Sequence, residues 1–182
     1  MGSSIFYTMK NPTLAAQIIR MKDMDQELRF LTRDLGTTDG LANSLVYVMD
    51  LVHNTAMLRM IERYGYPTRA LVGKRALQAF WLLVQHQDDD LLLQGDCLTH
   101  CDFEPKEQAL LSDRVAVNSG RKQIFGTQYG APILNPKTVD QRRKEAGLEP
   151  IAEYHARMKA MFPKGPARTY QSLPGGKIRR IS

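Results

Sequence analysis

Proton transfer near neutral pH is work for histidine, whose ordinary pKa of roughly 6.5 lets it act as acid or base. Of the four histidines, His86 has the most suggestive neighbours. It follows an apolar run around Trp81, with Gln85 before it and Asp88, Asp89, Asp90 and Gln94 after it. The run predicts a helix ending near His86. The helix dipole and the aspartates then both favour the imidazolium form. General acid, general base and anion holder are all open, as is a purely structural histidine tying two helices together.

Two later segments carry complementary groups. Asp113 could orient an imidazole, and Arg114 offers a planar fork suited to carboxylate or phosphate. Neighbours on a helix point about 100° apart, so both reach one point only with help. A buried ion pair holding the next loop is the structural alternative. Gln85, Gln94, Gln123 and Gln128 form a set of neutral amides that, with Thr127, suits a small polar molecule such as an amide, sugar or base. The same amides could instead bond one another and pin the 121–130 loop. The expectation is a site with His86, Asp113 and Arg114 as catalytic groups. Trp81, Gln85, Gln94, Gln123, Thr127 and Gln128 are its expected substrate contacts.

Other chemistries find less support. Asp88 to Asp90 with His86 include metal-ligand types, but consecutive carboxylates usually cap a helix or face solvent. Cys97 and Cys101 flank His100 in CLTHC and share a helix face, yet a structural zinc site normally needs two separated pairs. Two free thiols are expected. A Cys97 nucleophile with His86 or His100 requires a geometry that spacing does not define. There is no Gly-rich phosphate loop, G-x-S-x-G elbow or H-E-x-x-H helix. Neither a metal nor a cofactor is expected.

Helices must position these groups. Residues 5–20 predict a short helix after Asn11-Pro12, and Leu28, Leu31 and Leu35 predict another from Asp23 to Leu35, ended by Gly36. Leu41 to Tyr64 is the longest helical pattern, with a broad stripe of Leu45, Val48, Met49, Val52, Met57, Leu58, Met60 and Ile61. His53 and Asn54 interrupt it; His53 is either a half-buried helix residue or a member of the site. Further helices are predicted over 74–87, 90–101, 105–118, 138–146 and 151–161. Between them, Arg121 to Pro136 has no helical period and reads as an ordered loop, with one short extended pair at most. The class is all-α, with six to eight helices. The expected organisation is an N-terminal segment over 1–22, a helical domain over 23–162 and a flexible basic tail over 163–182.

The 182 residues, 43% apolar and 24% charged, suit a soluble globular protein with a substantial core. No apolar run is long enough to span a membrane, and MGSSIFYTMK lacks the features of a secretory signal, so the cytoplasm is expected. The net charge of +6 invites a nucleic-acid reading. However, Lys164, Arg168, Lys177, Arg179 and Arg180 fall in the tail with no acid among them, leaving the body almost neutral. Nucleic acid is therefore not the expected partner.

Four stretches, GYPTRALVG at 65–73, AFWLLVQHQDDDLLLQ at 79–94, LSDRVAVNSGRKQIFGTQ at 111–128 and VDQRRKEAGLEPIAEY at 139–154, resemble a bacterial family of uncharacterised domains. The resemblance covers about residues 50–155. It implies that Trp81, Gln85, His86, Gln94, Asp113, Arg114, Gln123, Gly126, Thr127 and Gln128 are signature positions. Phe125 departs from it, tyrosine being the usual residue before Gly-Thr-Gln. The resemblance names no reaction. The resulting expectation is a small, metal-independent cytosolic enzyme of hydrolase, lyase or transferase type, acting on a small polar metabolite. The alternative is a non-catalytic binding domain whose polar cluster is structural.

Overall fold

The structure, a computed structural model, describes residues 9–34 and 40–181. Among them are seven α-helices and one two-stranded sheet, so the all-α expectation holds. The region expected as one helical domain divides into two units, Met1–Phe103 and Glu104–Ser182. No helix among the described residues is long and apolar enough to cross a membrane.

The first unit contains α1 (Pro12–Asp34), α2 (Gly40–Tyr64), α3 (Arg69–Gln85) and α4 (Leu91–His100). Where two segments were expected, α1 is one continuous helix, and the 22/23 boundary falls in its middle. The reason is local: after Pro12 the helix holds neither proline nor glycine, and Arg20, Met21 and Lys22 all favour helix. Asn11 Oδ1 accepts from the Leu14 amide at 3.0 Å, satisfying one free donor at the helix start. Helix α1 packs chiefly on α3. Leu14, Ile18, Met57, Phe80, Leu83 and Val84 are buried in this unit.

The broad stripe predicted on α2 is divided between two faces. His53, Met57 and Met60 are buried, whereas Leu45, Val48, Val52 and Leu58 are exposed. Gly73 interrupts α3 with φ +78°, so its regular part starts at Lys74, as the sequence predicts. Asp90 caps α4 by accepting from the Leu93 amide at 2.9 Å, which explains one of the three aspartates.

The second unit comprises α5 (Pro105–Asn118), α6 (Val139–Glu145) and α7 (Ile151–Met161), followed by β1 (Tyr170–Ser172) and β2 (Ile178–Arg180). A reciprocal capping box between Glu104 and Glu107 starts α5. The ordered loop carries two isolated bridges, Gln123 to Ile133 parallel and Arg121 to Lys177 antiparallel. The segment expected as a flexible tail differs most from the sequence reading. Strands β1 and β2 pair antiparallel, with Tyr170 opposite Arg180 and Ser172 opposite Ile178. The Ile178 side chain is buried with Val117 and Ala131, and its amide donates to Gly120 O at 2.7 Å. One apolar residue makes no period, so this anchor is invisible to pattern reading.

Candidate functional site

In the first unit, three helices bring charged groups together under an apolar layer. From α1 come Asp25 and Arg29, which share a face at a spacing of four. The middle of α2 contributes Asp50, and the end of α3 contributes His86. The Asp25 side chain is wholly buried. His86 Nδ1 lies 3.0 Å from both carboxylate oxygens of Asp25. Arg29 Nε donates to Asp25 at 2.9 Å, the other arm of its guanidinium reaches Asp50, and Gln26 Nε2 donates to Asp25 at 2.7 Å. Asn54, on α2, bonds Asp90 at 2.9 Å, linking the α4 cap to the same helix.

The two carboxyls sit in opposed electrostatic states. Burial opposes ionisation of Asp25, but the hydrogen bond and charge of His86, with Gln26 and Arg29, hold its pKa at about 2. Asp50 is pushed above the usual carboxylate range, burial outweighing the pull of Arg29. Divergent environments for neighbouring carboxyls are how a site separates a fixed anion from a proton donor. Asp25 is the fixed anion. As an anion it accepts from Nδ1–H in the tautomer it favours, which orients the His86 ring and leaves Nε2 out of this contact. The imidazole is 18% exposed, so a ligand can reach it.

Two buried nitrogens meet no protein partner among the described residues: His53 Nδ1 and Gln85 Nε2. Leaving such groups unsatisfied is costly, so each calls for a partner, an ordered water or a small polar molecule. His53 lies one turn from Asp50 and feels the charges of Asp25 and Asp50. Burial lowers its pKa and keeps the ring neutral.

Ligand atoms of Asp25, Asp50 and His86 lie within 4.8 Å of one another, a spacing that a divalent cation could bridge. Arg29 already supplies a positive charge to both carboxylates, and so fills that electrostatic role. Cys97 and Cys101 are free and buried. The Cys97 thiol is pushed up by its hydrogen bond to Cys101 and by burial, which disfavours the thiolate needed for attack or metal binding.

The sequence-predicted residues separate into distinct settings. His86, Gln85, Gln94 and Trp81 belong to the first unit. Gln94 is fully buried, with Nε2 bonded to Val84 O at 3.0 Å, a role in joining α3 to α4. Trp81 is half-buried beside Ile19, Lys22 and Arg75 in a cavity of about 330 Å³.

Asp113, expected as the acid orienting His86, is engaged otherwise. It is wholly buried and accepts from the amides of Ile124, Phe125 and Thr127 and from the Thr127 hydroxyl, at 2.7 to 3.1 Å. Asp25 holds His86 instead. Gln123 is also buried: it donates to Gln128 O and Ala131 O and accepts from the Gln128 amide. Arg143 donates to Phe125 O, Tyr154 to Thr127 O, and Arg142 to Ile124 O and Leu134 O. Gly126 sits at φ +74°, which strains any L side chain, and a Cβ there would also press on Ile151 Cδ1 at 2.7 Å. Of the second-unit residues, Arg114 and Gln128 come together, lining a cavity of about 440 Å³ with Tyr129, Phe162, Arg168 and Tyr170.

Asp25, Arg29 and Asp50 escaped the sequence reading. A signal existed: charges on one helix face at i and i+4, and an acid one turn before a buried histidine on a helix otherwise poor in charge. Isolated charged residues on helices normally face solvent, so the pattern carried little weight by itself.

No curated protein and no solved structure matches the chain. A family model described as a family of unknown function, DUF6624, matches residues 12–163, spanning α1 through α7. The chain belongs to this family.

Proposed function

We propose that the chain is an enzyme that works by general acid–base catalysis, without a metal, on a small polar molecule bound beside His86. The contact between His86 Nδ1 and buried Asp25 carries this reading, because it defines one ring nitrogen as the exchanging one. Asp50, with its raised pKa, is the second proton-transfer group, and Arg29 keeps the two carboxylates compatible. Gln85 Nε2 is a donor for a substrate oxygen. Hydrolysis, elimination and group transfer all use these parts. Two free thiols support a reducing, cytoplasmic setting.

The test is a panel of chromogenic esters, phosphates and glycosides, followed by kinetics of His86→Gln on whichever is turned over. A loss of about 100-fold or more, with the melting temperature retained, is the expected result. An unchanged rate would remove His86 from catalysis. Ligand binding without turnover across a broad metabolite panel would favour the non-catalytic reading.

A further inference from the structure

Helix α2 has a second face that the core does not use. Leu45, Val48, Leu51, Val52 and Leu58 are exposed along it, with Tyr47 at its edge. Their exposures run from 46% to 61%, high for six large apolar side chains on one helix. The spacing is heptad-like: Leu45 and Val52 are seven apart, Val48 lies between them, and Leu51 and Leu58 repeat alongside at seven. Asp50, His53, Met57 and Met60 occupy the opposite side.

Two further properties describe what this face would meet. The polar residues within it, Ser44 and Thr55, return their hydroxyls to their own helix, donating to Gly40 O at 2.7 Å and Leu51 O at 3.1 Å. The stripe therefore presents no unsatisfied polar group to a partner. It also carries little charge: between Gly40 and Leu58 the one acid is Asp50, on the other side, and there is no lysine or arginine before Arg59. A helix binding the surface of an anionic membrane would place several basic residues beside its apolar face, whereas α2 has Arg59 alone in line with Leu45 and Val52, followed by Glu62.

We propose that this face of α2 is the interface of a homodimer, in which the stripes of two copies pack against each other around a two-fold axis near Val48 and Leu51. A self-complementary apolar seam needs no charge pattern to choose its partner, and an isologous contact is the commonest way identical chains associate. The six exposed side chains amount to roughly 500 Å² per protomer. Two copies would then cover about 1,000 Å², around the lower limit of a stable interface. A patch of this size is toward the upper end of the largest patches that monomers show, and such patches are often functional. The site lies on the other face of α2 and stays accessible in the pair.

Sedimentation velocity on the full chain at micromolar concentration tests this, alongside Val48→Lys and Leu45→Glu. The wild type is expected at twice the chain mass. Each variant is expected to weaken the dimer by about 30-fold or more while keeping its far-ultraviolet circular dichroism, since these positions are exposed in the protomer. A wild type that is monomeric at about 100 µM would overturn the proposal. So would variants that remain dimeric with native helicity, which would place the contact elsewhere. Monomeric wild type that binds anionic vesicles would assign the stripe to lipid instead. If a variant loses helicity, a Val48→Cys chain under mild oxidation replaces it: a disulfide-linked dimer supports the seam, and a chain that stays uncrosslinked counts against it.

Discussion

His86 Nδ1 and the carboxylate of Asp25 meet at 3.0 Å across 61 residues of sequence, one at the end of α3 and the other in the middle of α1. The carboxylate is wholly buried and receives Arg29 and Gln26 as well. This contact fixes the chemical identity of the imidazole, because a buried anion on one nitrogen stabilises a proton there.

Asp25→Asn replaces that anion with an amide able to bond either tautomer. Turnover should fall by about 10²–10⁴. Nitrogen-15 correlation spectra of His86 provide a readout that a structural role would not move. The wild-type neutral ring should carry its proton on Nδ1, and the variant should show a mixture. A pure Nε2–H tautomer in the wild type would contradict the assignment.

Acid should destabilise the first unit in two stages. The His53 pKa is lowered by burial, so its unfolded form takes up protons first, and stability falls as pH drops below the ordinary value of 6.5. Asp25 is held at about 2 against an ordinary 3.8; its contribution of about 2 kcal/mol is complete above 3.8 and lost as pH falls through 2. Asp50, raised, acts in the opposite sense above 3.8. Urea midpoints measured against pH should show both stages. His53→Gln should flatten the first, and Asp25→Asn the second.

Arg29 is expected to stand where a cation would otherwise be needed. Added zinc or manganese should leave the wild-type melting temperature unchanged. Arg29→Met removes the guanidinium from between two carboxylates and should lower stability by about 3 kcal/mol or more. Divalent cations should restore part of that loss. A tightly bound stoichiometric metal in the purified wild type would defeat the metal-independent reading.

Asp113→Ala tests a structural role rather than a chemical one. It strands three backbone amides, that of Thr127 buried, and the Thr127 hydroxyl, so a loss of about 3–5 kcal/mol is expected. Limited proteolysis should then cut within 121–136. A variant of native stability with impaired turnover would return Asp113 to the active site.

The hairpin formed by β1 and β2 should also prove structural. Ile178→Ser leaves Val117 and Ala131 without their cover and should cost about 1–3 kcal/mol. Thermal unfolding measures it; an unchanged midpoint would restore the picture of a flexible tail.

The sequence alone determined the helices from α2 to α7 and several of their ends. Those features are local: Gly65 and Gly73 adopt positive φ where the chain needs it, Asp90 caps the helix that follows it, and Pro105 begins α5. His86 was legible too, because a histidine at the polar end of an apolar helix is a local anomaly. Its partners were not. Asp25 and Asp50 are ordinary acids on amphipathic helices until α1, α2 and α3 pack, and only packing decides which charges are removed from water. The same reason explains Asp113 and Gln123, whose polar types suit a binding site but whose burial spends them on backbone amides and carbonyls; Gln94 gives its Nε2 to a carbonyl in the same way, while its Oε1 meets no partner among the described residues. Residue type set what each group could do; tertiary contact decided which of them face a ligand and which hold the fold.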